Sequence, residues 1–195
     1  ILLVEDNRFT SFVSKDQIPE TYELLDFSQW FALPGLVDAS FLPHLMFASD
    51  GSSPSNYGQS VWTAKQSVHH WIKTGVTTAG TLGAVEELDK DLGDCITQGK
   101  FLGPRLLPAL TPIVPAGGNK IPWEYGARQV SGADQARRAA REIIKQGAER
   151  LVVYADPSIR FLPNPQKTAE HRFTFNLDEL KEIVTQASQA GCFVH

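Results

Sequence analysis

Residues 131–154 read Ser-Gly-Ala-Asp-Gln-Ala-Arg-Arg-Ala-Ala-Arg-Glu-Ile-Ile-Lys-Gln-Gly-Ala-Glu-Arg-Leu-Val-Val-Tyr, and this stretch decides the fold. Ala136, Ala140, Ile143 and Ile144 recur at helical spacing, Ser131 and Asp134 stand in capping-box register, and Gly147 supplies the stop. Leu151 to Tyr154 then runs apolar without alternation, as expected of a strand covered on both faces. The same order recurs downstream. Asn176 and Glu179 open a helix that turns Leu177, Leu180, Ile183, Val184 and Ala187 inward, Gly191 stops it, and Cys192-Phe193-Val194-His195 begins another strand.

Upstream the rhythm is the same. The chain enters it at Leu33-Pro34-Gly35-Leu36-Val37, read as a first buried strand. Val61, Ala64, Val68, Trp71 and Ile72 form a helical stripe stopped by Gly75, and the β-branched run Val76–Ala79 follows. Val85, Leu88, Leu92 and Ile96 form the next stripe, stopped by Gly99, and Arg105–Leu110 reads as the third strand. Regular alternation of this kind predicts an α/β chain with a parallel sheet of the (β/α)8 barrel type. The units from Leu33 to Gly191 take roughly 40 residues each, whereas a whole eight-unit barrel takes about 250. About the first half of a barrel is therefore expected over 33–195, as four βα units and a fifth strand. The alternative is a doubly wound open sheet, against which the final apolar strand weighs. Unpaired parallel edges invite aggregation, so the barrel is expected to be completed by the rest of a longer chain or by a homo-oligomer.

Residues 1–32 belong to another pattern. Ile1–Val4 and Phe9–Val13 read as strands around a turn at Glu5–Arg8, and Tyr22–Phe27 and Trp30–Ala32 continue the β signal. Without a charged n-region, the opening reads as a strand rather than a signal peptide. This portion of a small β-sandwich is too short to bury a core, so it is expected to pack against the barrel side.

Composition excludes several function classes. With 42% hydrophobic and 21% charged residues, the 195-residue chain is no disordered segment. No apolar run approaches the roughly 20 residues of a membrane span. A net charge of −4 gives no footprint for nucleic acid or anionic membranes. Cys95 and Cys192 form no metal or redox spacing, which suits a cytoplasmic protein. Gly80-Thr81-Leu82-Gly83 and Ala116-Gly117-Gly118-Asn119-Lys120 fit neither phosphate-binding fingerprint. Arg137, Arg141 and Lys145 read as a solvated helix face, His69 and His70 as neighbours pointing apart on a helix, and His171 as an exposed loop residue.

Barrel chemistry sits at the C-terminal ends of strands, and residues two apart share a face. That singles out Asp38, Ser40, Leu42 and His44 on the first strand. On the fourth it selects Val152, Tyr154 and Asp156, with Asn119 in the loop after the third strand and His195 on the fifth.

The chain resembles the N-terminal half of an amidohydrolase-superfamily protein of the imidazolonepropionase and prolidase-like branch. The matching text is Leu33-Pro34-Gly35-Leu36-Val37-Asp38-Ala39, Gly75-Val76-Thr77-Thr78, Gly103-Pro104-Arg105, Gly117-Gly118, Gly147-Ala148-Glu149, and Leu177-Asp178-Glu179-Leu180 through to His195. The resemblance implies a metal-dependent barrel with a small β-sandwich, and hydrolysis of C–N bonds by metal-activated water. It also implies paired His on strand one, a Lys on strand four and a His on strand five. Here those positions hold Ser40 and Leu42, Val152 and His195, and Asn119 stands where a His commonly follows the paired glycines. Leu and Val have no lone pair to give, and one His cannot hold a tetrahedral ion. The expectation is therefore a degenerate, metal-free member with no cofactor: a pseudoenzyme, or a scaffold for a small-molecule ligand. Asp38, Asn119, Tyr154 and Asp156 are its site candidates. The alternative is an active hydrolase with a residual or relocated zinc or other divalent-metal site, using His195, His44 and ligands from beyond His195.

Overall fold

The computed structural model describes residues 1–44, 56–117, 126–155 and 174–195. They fall into two units, Ile1–Pro34 and Gly35–His195.

In the first unit, β1 (Leu2–Glu5) and β2 (Arg8–Phe12) form an antiparallel hairpin. Asp6 and Asn7 turn it with φ of 48° and 61°, the left-handed pair that matches the strand twist and that short polar side chains tolerate. The strands expected over Tyr22–Phe27 and Trp30–Ala32 do not form. Local turns take their place: the Tyr22 N–H donates to the Pro19 carbonyl and the Trp30 N–H to the Phe27 carbonyl, and the exposed backbone makes no ladder.

The second unit carries the βα rhythm. Strands β3 (Leu36–Phe41), β4 (Val76–Thr81) and β5 (Arg105–Leu107) form a parallel sheet in that order. Strands β6 (Ile113–Pro115) and β7 (Arg128–Val130) pair in parallel, as do β8 (Arg150–Leu151) and β9 (Phe193–Val194). Backbone bonds join these sheets: the Glu149 N–H donates to Pro108 at 2.9 Å, and Ile113 bridges Val153 in parallel. Helices α1 (Tyr57–Lys73), α2 (Leu88–Thr97), α3 (Ala133–Lys145) and α4 (Leu177–Gln189) alternate with the strands. The architecture is mixed α/β with no closed barrel among the described residues, consistent with a partial one.

Some boundaries move for physical reasons. The first barrel strand begins at Leu36 rather than Leu33, past Pro34, which has no N–H for a ladder. The third ends at Leu107, before Pro108, and Leu110 turns the chain with φ 59°. The strand β6 that follows, with its partner β7, was not legible in the sequence. Only Arg150 and Leu151 of the fourth strand make a ladder, with Val153 as a lone bridge.

Helix termini test the capping expectations. Asn176 and Glu179 form the reciprocal box on α4. The Ser131–Asp134 box does not form. Gly132 caps α3 with φ 86°, the Ser131 N–H donates to Gln135 Oε1 at 3.0 Å, and Asp134 pairs with Arg137 at 2.8 Å. Nor is the Arg137–Arg141 stripe a purely solvated face. Arg137 forks onto both oxygens of Glu182 on α4, and Arg141 Nε donates to Gln186 Oε1 at 2.7 Å. Helix packing had recruited the stripe.

The core lies between strands and helices. Phe41, Ala64, Val68, Leu88, Leu92 and Leu106 form one buried cluster; Leu110, Ile113, Ile143, Leu151 and Ile183 belong to the other. Phe41 and Leu151 are fully buried in these clusters. Alternation therefore sends Ser40 and Leu42, next to Phe41, and Arg150, Val152 and Tyr154 to the opposite, inner face, whereas a register break between Asp38 and Phe41 interrupts it before Asp38.

Candidate functional site on the inner face

Near the inner face the described strands carry few groups able to do chemistry. Strand β3 offers an exposed Ser40 and, across its register break, Asp38, whose Oδ1 accepts the Ser40 N–H at 2.9 Å and whose charge is felt by Arg150. Beyond β3, His44 is 1% exposed, and burial pushes its pKa from 6.5 down to about 4, so it is neutral near pH 7. Tyr154 donates its hydroxyl to the Leu82 carbonyl at 3.2 Å, which ties the end of the fourth strand to the end of β4. Burial raises its pKa, so the phenol stays protonated. His195 is locked by its backbone, its N–H on Leu151 and its carbonyl receiving the Val153 N–H, both at 2.9 Å. Desolvation and then the Arg150 charge lower its pKa, which favours a neutral imidazole.

Arg150 links these groups, and the sequence reading passed over it. Its side chain runs inward, 6% exposed, and Nη1 donates to the Ala39 carbonyl at 2.8 Å. Gly80 lies against the guanidinium, where any Cβ would overlap it. Burial lowers the Arg150 pKa and the Asp38 charge opposes that shift. Asp38 and His195 are thus joined through the field of one cation, while the Tyr154 hydroxyl is engaged at the Leu82 carbonyl. Asn119 and Asp156 lie outside the described residues, as do His171 and the loop 49–55. The signal that could have revealed Arg150 was its position: an arginine two residues before Val152, on the same strand face.

Buried Asp89 is the second residue that sequence reasoning missed. Its Oδ2 accepts Thr81 Oγ1 at 2.5 Å and the N–H groups of Ala109 and Leu110 at 2.9 and 3.1 Å. It pins the turn after β5 to the end of β4. Every near partner is a backbone or hydroxyl donor, which marks a structural role.

Among the described residues, the side chains of Leu42 and Val152 offer no lone pair, Ser40 offers only a hydroxyl, and the buried guanidinium of Arg150 places positive charge nearby. Among the described residues no three His, Cys, Asp or Glu side chains converge on a point. His69 and His70 lie exposed on α1, away from the strand ends. An apolar groove runs along α1, where Lys65 Nζ stands 5.4 Å from the Trp62 ring and 5.8 Å from that of Phe101; none of the strand-end candidates lines it.

The fold is mixed α/β with parallel βα units, consistent with part of a barrel. No protein-family model and no curated protein matches the chain. Solved structures do. A crystal structure of an amidohydrolase superposes with TM-score 0.78 at 19% identity, covering 99% of this chain and 50% of that one. Phenylurea hydrolase B gives 0.76 at 20% identity, covering 100% and 50%. A Xaa-Pro dipeptidase with methionine in its active site gives 0.67 at 23% identity, covering 83% and 42%. The neighbours are amidohydrolase-superfamily barrels, and the likeness establishes the fold. The chain spans about half the length of these structures. No helix among the described residues is long and apolar enough to cross a membrane.

Proposed function

We propose that this chain forms the first half of an amidohydrolase-type barrel whose inner face binds a small molecule without metal-dependent hydrolysis, as a pseudoenzyme or binding scaffold. The structural neighbours point to the C–N hydrolase family. What supports the departure from that chemistry is that Ser40, Leu42 and Val152, which the resemblance aligns with ligand positions, carry no imidazole, amine or carboxylate, and that Arg150 is buried nearby. Metal-activated water needs three or four N, O or S ligands around the ion. Among the described residues, His195 on the fifth strand offers an imidazole, with the buried His44 just beyond β3.

The neutral state favoured for His195 is also the ligating state of an imidazole, and this supports a second reading. In it, His195 joins ligands from a completing half to hold a relocated ion. Elemental analysis of the intact, extensively dialysed protein separates the two. The proposal expects no stoichiometric divalent metal, and no gain of metal on restoring Ser40→His with Leu42→His, because Val152 still offers no lone pair. One zinc, iron or manganese per chain, lost in His195→Ala, establishes the hydrolase reading instead.

A further inference from the structure

Helix α1 carries an open groove that the inner-face chemistry leaves unused. Trp62, Lys65, Gln66 and His69 line it from the helix, and Phe101 and Leu102 close it from the segment after α2, around a cavity of about 450 Å³. That size, and a mostly apolar wall with a few polar groups, are those of small-molecule sites. Trp62 is 65% and Leu102 72% exposed, so each wall of the groove holds a large apolar side chain in water. The core does not use them, because the helix buries Ser60, Ala64, Ser67 and Val68 instead.

Charge says what fits there. The 17 residues of α1 include Lys65, His69 and Lys73, four apart and so on one face, and they include no acid. This is a local exception in a chain with 22 Asp and Glu against 18 Lys and Arg. Lys65 Nζ stands 5.4 Å from the Trp62 ring and 5.8 Å from that of Phe101, so two aromatic faces hold the ammonium at the groove. Among the described residues no carboxylate forms an ion pair with it. A cation fixed beside bare apolar surface complements a ligand with an anionic head and an apolar body. A second copy stacked α1 on α1 would instead set two cationic faces against each other.

We propose that the groove along α1 binds a small amphipathic carboxylate, its head paired with Lys65 and its apolar body laid on Trp62, Phe101 and Leu102. The site lies on the exposed face of the helix and stands whether or not the inner face holds a metal.

The test is isothermal titration of the intact protein with phenylpropionate. Three analogues dissect the contacts: phenylpropionamide lacks the charge, phenylpropylamine reverses it, and acetate lacks the body. Phenylpropionate is expected to bind saturably, and each analogue at least tenfold more weakly. Lys65→Gln and Trp62→Ala should each weaken phenylpropionate at least tenfold, whereas Lys65→Arg, which keeps a cation over the rings, should retain it. Arg105→Gln should leave binding unchanged, because Arg105 is an exposed arginine paired with Glu149 at 3.6 Å. Lys65 and Trp62 are exposed, so their substitution leaves the core intact. In the unaltered protein, phenylpropionate must also move the indole N–H resonance of Trp62. Absent saturable binding, equal binding of the amide, unchanged affinity in Lys65→Gln or an unmoved Trp62 resonance each overturns the site. Sedimentation velocity reads the other occupant: a dimer of the unaltered protein that dissolves in Trp62→Ala assigns the groove to a second copy and overturns it too.

Discussion

Replacing Asp89 by Ala should loosen the turn that ends β5, and the structure allows its size to be worked out. Asp89 is fully buried, and its Oδ2 collects the Thr81 hydroxyl and the N–H groups of Ala109 and Leu110, while Oδ1 accepts the Lys90 N–H. The losses are unequal. Ala109 keeps a second acceptor in Thr81 Oγ1 at 2.9 Å, and the Thr81 hydroxyl can fall back on the Leu107 carbonyl. Leu110 has no such substitute among the described residues, and its left-handed backbone relies on the bond. One orphaned buried N–H costs about 1–3 kcal/mol, and the lost bonds to a charged acceptor add to it. Asp89→Ala should therefore cost about 2–4 kcal/mol. Asp89→Asn keeps one oxygen for the clustered donors and should cost about 1 kcal/mol. Urea unfolding of the intact protein, followed by tryptophan fluorescence, reads both. A loss below about 1 kcal/mol for Asp89→Ala, or equal losses in the two variants, would refute the acceptor argument.

Two further perturbations follow from buried groups. The unfolded chain protonates His44 near pH 6.5, and the folded chain only near 4. Stability should therefore be full above pH 6.5 and decline as pH falls toward 4, by up to about 3 kcal/mol at ~1.4 kcal/mol per unit. His44→Gln should flatten that slope, measured as the difference in urea midpoint between pH 7 and pH 4.5; an unchanged slope assigns the acid sensitivity elsewhere. Glu179 accepts the Gly132 N–H at the start of α3 and the Asn176 N–H at the start of α4, at 2.5 and 2.8 Å. Glu179→Ala should cost about 2–3 kcal/mol, more than the ~1 kcal/mol of an ordinary cap, because two helix ends lose an acceptor at once. Thermal unfolding of Glu179→Ala beside Asn176→Ala checks it, and equal shifts in Tm would show that the link to α3 carries nothing.

The βα rhythm was legible because local periodicity and stop signals write it directly. The apolar stripes of α1 to α4 and the glycines at 75, 99, 147 and 191 mark helices and their ends, and the apolar runs between them mark strands. Face assignment along a strand follows from alternation where no bulge interrupts it, so the shared face of Ser40 with Leu42 and of Val152 with Tyr154 could be read from the chain alone. What failed was decided by partners distant in sequence. The β signal at Tyr22–Phe27 found no strand to pair with, and the Arg137 stripe met Glu182 on another helix, 45 residues away. Serine at 131 is a good cap by composition, yet Glu179 reached Gly132 across 47 residues and the helix began there instead. Arg150 is the clearest case. In sequence it is one more cation at the edge of a strand, and its meaning comes from Ala39, 111 residues earlier, and from the space left at Gly80. Periodicity is a local property and survives in one dimension, whereas a buried charge is defined by what surrounds it, which exists only once the strands are side by side.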